Sequence, residues 1–196
     1  MVQLIDTWGS DDLIAQVAKL SHGNKSKKNT EEMIDMLIRL RHDSVFEFAG
    51  ATFKVTTSIV VQRQWMRHRH ASYLEKSLRY VKNNEVTFGF DPARFKTEGF
   101  YNAAFDTAKH AFDIYKNLLD NGVPAEVARS VLPMGMLTEF YVSANLRSWF
   151  NFLKLRLSKH AQYEIREEAK QVYELLSEKF PITIKKWREY NNVDLS

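Results

Sequence analysis

The chain has 196 residues, 44% hydrophobic and 27% charged, with a formal net charge of +4. That composition fits one ordinary globular domain spanning 1–196, and the mild basicity favours anionic ligands without choosing among nucleotide, phosphate and nucleic acid. The absence of cysteine excludes a disulfide framework, a thiolate metal site, an iron–sulfur cluster and a cysteine nucleophile. No apolar run approaches the ~20 residues of a membrane span, and the first six residues lack the basic start and apolar stretch of a signal peptide. A cytoplasmic location is the expectation.

From Ser10, SDDLIAQVAKLSH predicts a capped helix with Leu13, Val17 and Leu20 on one face, stopped at His22-Gly23. Residues 24–29 read as a solvated basic loop. Thr30 opens a second helix that ends near Leu40, with Met33, Ile34, Leu37 and Ile38 turned inward. In RHDSVFEFAGATFKVTT, Phe46 and Phe48 alternate with polar neighbours and ATFKVTT is β-rich, so a strand is predicted there.

The stretch 62–80, QRQWMRHRHASYLEKSLRY, holds four arginines, two histidines and Lys76. A helix over Ser58–Arg69 puts Arg63, Gln64 and Arg67 on one face, with Ile59, Val61, Trp65 and Met66 on the other. Planar, permanently charged guanidinium groups aimed outward suit phosphate and other planar anions. The competing reading is a plain solvated face. Polar residues continue past the predicted helix into a loop, ASYLEKS, where binding groups commonly sit.

VTFGF (86–90) is a short strand candidate, and Asp91-Pro92 marks a turn. Residues 98–120 predict a long helix with Tyr101, Phe105, Ala108, Phe112, Tyr115 and Leu119 at helical spacing, ended by Asn121-Gly122. Pro124 starts a short helix, PAEVARSVL. LTEFYVSAN (137–145) alternates like a strand. The following NLRSWFNFLKLR reads as a helix with an apolar stripe of Leu146, Trp149, Phe150, Leu153 and Leu157. Asn145, Arg147, Asn151 and Arg156 sit on its polar shoulders. A last long helix covers about 160–179, with Ile165, Ala169, Val172 and Leu176 inward, before a closing segment PITIKKWREY. The fold class is α+β, a small, mostly antiparallel sheet packed with long helices.

Other constellations carry less chemistry. His160 and Glu164 are four apart but belong to no HExxH pattern or converging ligand set, so no metal site is expected. Arg129 reads on its own as a surface ion-pair partner of Glu126. Ser77 lacks a nucleophile elbow and an identifiable base. No Gly-rich phosphate loop occurs.

The string Arg67-His68-Arg69, then seven residues, then Ser77 resembles the signature of the flavin-dependent (ThyX-type) thymidylate synthases. HDSVFE (42–47), GVPAEVARSVLP (122–133), NLRSWFNFLKLR (145–156) and HAQYEIR (160–166) agree with that family in order and spacing. The resemblance covers about residues 33–190. It implies synthesis of dTMP from dUMP, with 5,10-methylenetetrahydrofolate as carbon donor and FAD, reduced by NADPH, as hydride source. It also implies a homotetramer with sites shared between subunits, and no nucleic-acid or membrane partner. Carried over by match, Ser44, Arg67, His68, Arg69, Glu75, Asn145, Arg147 and Asn151 are expected to contact FAD. Gln64, Trp65, Met66, Arg67, Glu75, Lys76, Ser77, Leu78, Arg79, Arg129 and Arg156 are expected to hold dUMP, the Glu75–Arg79 loop reaching a neighbouring chain's nucleotide. Arg156 resembles the arginine that favours ionisation at uracil N3, the expected catalytic group. A fixed cation stabilises the imide anion, which removes the need for thiol attack in a chain without cysteine.

Two positions depart from the family pattern: Phe48 stands where many members have histidine, and His70 where the residue is usually apolar. Two other classes remain open from the residues alone. One is a basic nucleic-acid-binding domain built on RQWMRHRH. The other keeps the nucleotide pocket but assigns another reaction, such as flavin-dependent reduction without methyl transfer.

Overall fold

The computed structural model describes residues 1–20, 23, 26–79 and 87–195. The expected helix stop at His22, the start of the 24–29 loop, Tyr80 and Val86 lie outside them. Among the described residues four strands, β1 (Val2–Trp8), β2 (Gly50–Ser58), β3 (Ser72–Glu75) and β4 (Leu137–Asn145), form one small sheet in the order β1-β2-β4-β3. The helices are α1 (Asp11–Leu20), α2 (Thr30–Arg39), α3 (Ile59–Trp65), α4 (Glu98–Asp120), α5 (Ala125–Ala128), α6 (Leu146–Arg156), α7 (Tyr163–Lys179) and α8 (Pro181–Asn191). The α+β class with a small antiparallel sheet is the observed one.

The chain forms two compact units. Met1–Val55, Met66–Tyr73 and Tyr141–Ser196 make the first, and Thr56–Trp65 with Leu74–Phe140 the second. In the first, β1 runs antiparallel to β2, with Val2 opposite Val55 and Trp8 opposite Gly50. Gly50 is required there, because a Cβ would sit 2.2 Å from the Trp8 ring and 2.5 Å from the Ala144 carbonyl oxygen. β1 is absent from the sequence expectations. VQLIDTW is short, and only Val2 along it is buried, so no clean alternation marks it.

The helical part of this unit packs α1 on α2, α2 and α7 on α8, and α6 on α7. α2 is as expected, burying Met33, Ile34, Leu37 and Ile38, and starts with a reciprocal capping box between Asn29 and Glu32. The face expected for α1 is displaced. Ile14, Ala15 and Ala18 are buried, whereas Leu13 and Leu20 are exposed. The cause is Asp11, which is buried and accepts the Ile182 and Thr183 N–H groups at 2.9 and 3.2 Å. These are orphan donors of the first turn of α8, and satisfying them fixes which side of α1 faces inward. Residues 43–48 are a 3-10 turn rather than strand, with Phe46 buried and Phe48 exposed. The strand begins only at Gly50.

In the second unit α4 packs Phe112 and Tyr115 against Ala128. Phe88, Phe105, Tyr101, Phe95 and Phe90 form a closed run of ring contacts beside it, with centroid spacings of 5.5–6.2 Å. Of VTFGF, Phe88 makes one bridge to Met136 and no extended strand. α3 buries Val61, Gln62 and Trp65 and stops there, four residues short of the expected end. The next positions on that stripe are His68 and Arg69, which offer nothing apolar to bury. The expected loop ASYLEKS contains β3. α7 starts at Tyr163 and not at 160, while its inward residues are those expected. Among the described residues no helix is long and apolar enough to cross a membrane.

Candidate active site

Within the first unit the residues after α3 close over one face of α6 and the end of β4. They enclose a cleft of about 270 Å³ lined by Arg67 to Ala71, Tyr73, Val142, Ala144 and, from α6, Ser148, Trp149, Asn151 and Phe152. Local structure explains the wall. β4 turns Val142 and Ala144 to its buried face, and small side chains there leave space. Asn145 caps α6, its side-chain oxygen accepting the Ser148 N–H at 3.0 Å. The Trp149 indole is fixed by donation to the Ala51 carbonyl at 3.3 Å and by edge-on contact with Phe53 and Phe152.

Arg156, in the last turn of α6, donates Nε–H to His68 Nε2 at 3.1 Å. The His68 ring packs edge-on against Phe152 at 5.0 Å, and Tyr73 donates its hydroxyl to the His68 carbonyl at 3.1 Å. Burial, reinforced by the adjacent Arg156 cation, brings the His68 pKa down to about 4. The imidazole is therefore neutral at pH 7, and the hydrogen bond from Arg156 assigns its proton to Nδ1. Burial pushes the Tyr73 hydroxyl up to about 12 against the opposing pull of Arg156. Desolvation lowers the Arg156 pKa, with Tyr73 acting the other way, and the guanidinium stays charged at neutral pH. Arg67 and Arg69 line the cleft without a hydrogen bond or ion pair among the described residues. They are cations ready for an external anion.

In the second unit Glu75 is pinned by two neutral donors, Gln62 Nε2 at 3.0 Å and Thr138 Oγ1 at 2.7 Å. The Lys76 N–H extends the pairing to the Glu139 carbonyl at 3.0 Å. Ser77 Oγ accepts the Arg79 N–H at 3.3 Å, which holds a turn. Arg79 and Arg129 meet on one residue: Arg79 pairs with the Glu126 carboxylate at 3.4 Å, and Arg129 Nε donates to the Glu126 carbonyl at 3.4 Å. The Arg129–Glu126 contact is thus to backbone, and the carboxylate expected for Arg129 goes to Arg79.

Of the residues expected to contact FAD, the cleft gathers Arg67, His68, Arg69 and Asn151. Asn145 serves it as the cap of α6. Arg147 pairs with Glu47 and lines a neighbouring smaller cleft, and Ser44 is exposed on the 43–48 turn outside both. Glu75 lies in the second unit. Of the residues expected to hold dUMP, Arg156 reaches His68, while Gln64, Met66 and Leu78 are half-buried. Trp65 is fully buried against Phe140, so its side chain belongs to the core. Tyr73, Ser148 and Phe152 were not anticipated. Tyr73 was hidden in a presumed loop, and Phe152 gave no polar signal. Among the described residues no cluster of three or more acidic or histidine side chains could hold a metal.

Residues 3–182 match the family described as thymidylate synthase complementing protein. The chain is 37% identical to a flavin-dependent thymidylate synthase of Thermus thermophilus, over 96% of this chain and 76% of that one. It is 36% identical to the enzyme of the same name from Thermotoga neapolitana, over 96% and 91%. Its fold matches a crystal structure of the UMP/dUMP methylase PolB from Streptomyces cacaoi bound with 5-Br UMP. There the TM-score is 0.87 at 29% identity, covering 98% of this chain and 96% of that one. On the arginine–histidine cleft, the matched span and these likenesses together, the chain belongs to the thymidylate synthase complementing protein family.

Proposed function

We propose that the protein is a flavin-dependent thymidylate synthase, converting dUMP to dTMP with 5,10-methylenetetrahydrofolate as carbon donor and NADPH as reductant. The observation that carries this reading is the cleft in which Arg67 and Arg69 stand without partners among the described residues, beside Arg156 held by a neutral imidazole. The donor set fits a flavin nucleotide. Arg67 and Arg69 can take phosphate, Ser148 and Asn151 can meet ring-edge polar atoms, and Phe152 and Trp149 give an apolar wall. Pockets that enclose a whole ligand span roughly 300–1,000 Å³, so a cleft of about 270 Å³ holds only part of a dinucleotide. This supports sites completed by a neighbouring chain, as in the homotetramer that the family resemblance implies. Bound there, FAD supplies the hydride that brings the transferred carbon to the methyl level.

The protein's own part is electrostatic. His68 accepts from Arg156 Nε and so orients the planar guanidinium fork. A uracil placed against that fork loses its N3 proton more readily, and the resulting anion is richer in electrons at C5, the carbon to be alkylated. A protonated His68 could not accept from Arg156, so its low pKa keeps the pair intact at neutral pH.

The test is direct. Purified protein mixed with FAD, dUMP, methylenetetrahydrofolate and NADPH forms labelled dTMP, and its visible spectrum shows bound flavin that responds to dUMP. NADPH oxidation without dTMP, or colourless protein that retains nucleic acid in a salt-dependent way, contradicts the proposal. The likeness to a UMP/dUMP methylase favours one second reading, methylation of UMP as well as dUMP. Parallel assays with the two nucleotides separate them.

A further inference from the structure

Helix α2 ends in a Schellman motif, with His42 N–H bonded to the Leu37 carbonyl at 2.9 Å and Arg41 N–H to Ile38 at 3.1 Å. The motif puts Arg41 at φ +57°, a left-handed conformation that a side chain makes unfavourable. Where α4 and α8 end, the chain meets the same need with Gly122 and Asn192, residues suited to it. At position 41 it uses arginine instead. That side chain lines a second cleft of about 110 Å³ in the first unit, together with Asp43, Arg147, Asn151 and Lys154. Asn151 also lines the larger cleft, so the two adjoin. Asp43 faces Arg41 at 3.9 Å and Glu47 pairs with Arg147, whereas Lys154 has no ionic partner among the described residues. One cation is therefore in excess, which fits a single carboxylate better than a phosphate dianion.

We propose that the Arg41–Lys154 cleft binds a carboxylate on the glutamate tail of the folate co-substrate, anchoring it beside the flavin cleft. This rests on the thymidylate synthase reading, which supplies a carboxylate-tailed ligand for the neighbouring space. The strained backbone at Arg41 is then the cost of placing a guanidinium in the cleft wall.

Arg41→Gly and Lys154→Glu test it on the FAD-loaded protein. Arg41→Gly relieves the left-handed strain, so its melting temperature is maintained or raised while KM for methylenetetrahydrofolate rises about five-fold. Lys154→Glu raises that KM by about ten-fold or more, and the loss falls on KM more than on kcat. The wild type prefers the intact co-substrate over methylenetetrahydropteroate, which lacks the glutamate, and both variants lose that preference. Calorimetric binding of tetrahydrofolate weakens in parallel and does not depend on turnover. If the wild type binds tetrahydrofolate, and the variants lose it, without forming dTMP, the inference stands and the reaction assignment fails. Unchanged folate KM and tail preference in both variants overturn the inference while dTMP synthesis persists. So does an effect confined to NADPH KM or FAD affinity, which would assign the cleft to a phosphate.

Discussion

Two arginine-bearing stretches of this chain, 59–69 and 145–156, divide the work of the cleft through opposite backbone behaviour. α6 has a buried apolar residue on each turn, from Leu146 through Trp149 and Leu153 to Leu157, and stays helical to Arg156. α3 runs out of apolar positions after Trp65, and the chain leaves the helix before Arg67. The difference has a geometric use. Three consecutive helical residues fan through about 200°, so Arg67, His68 and Arg69 could not all line one cleft from a helix. Irregular backbone lets them converge, and the rigid α6 gives Arg156 a fixed place to meet His68.

The largest expected effect comes from breaking the rigid partner. Trp149→Ala empties a site 2% exposed and should lower unfolding free energy by about 3–5 kcal/mol in denaturant titration. A loss under about 1 kcal/mol would show that the stripe does not hold α6. Next is Arg156→Lys, which removes the planar fork and the Nε–H that His68 accepts. Turnover to dTMP should fall about 10²-fold with FAD still bound. Loss of FAD with dTMP synthesis intact would contradict the role given to Arg156. His68→Phe keeps a ring against Phe152 but removes the acceptor, and kcat should fall about ten-fold. His68→Gln, which restores an acceptor, should recover part of it.

The same histidine carries a pH signature. Its folded pKa of about 4 lies below the ordinary histidine value of 6.5, so between these values the unfolded chain binds the extra proton. Stability is therefore highest above pH 6.5 and falls as pH drops toward 4. His68→Gln should flatten the melting-temperature profile in that window, and an unaltered slope would deny the half-buried neutral imidazole. The smallest effect tests the start of α6. Asn145→Ala should cost about 1 kcal/mol of stability, and Asn145→Asp should restore it by keeping the cap. If Asp restores stability yet weakens FAD binding, Asn145 serves both helix and cofactor.

The same contrast explains what the residues disclosed in advance. α2, α4, α6 and β4 were legible because each repeats an apolar residue at its own period and has a cap or turn at its ends. The arginine stretch was legible as chemistry but misread as backbone, since RHR on a helix and RHR on a loop share one composition. Tyr73 escaped for a related reason: its neighbours favoured a loop, and β3 is only four residues long. The inward face of α1 was beyond local reading altogether, because it depends on donors 171 and 172 positions away.

That last contact bears on how the protein is made. During translation Asp11 leaves the ribosome far ahead of Ile182 and Thr183, and Val2 far ahead of Gln171, whose side-chain oxygen accepts the Val2 N–H. At roughly 5–20 residues per second, the first helix waits on the order of ten seconds or longer for the groups that complete it. Nascent chains stalled before residue 182 should remain protease-sensitive in α1, becoming resistant only once α8 has emerged.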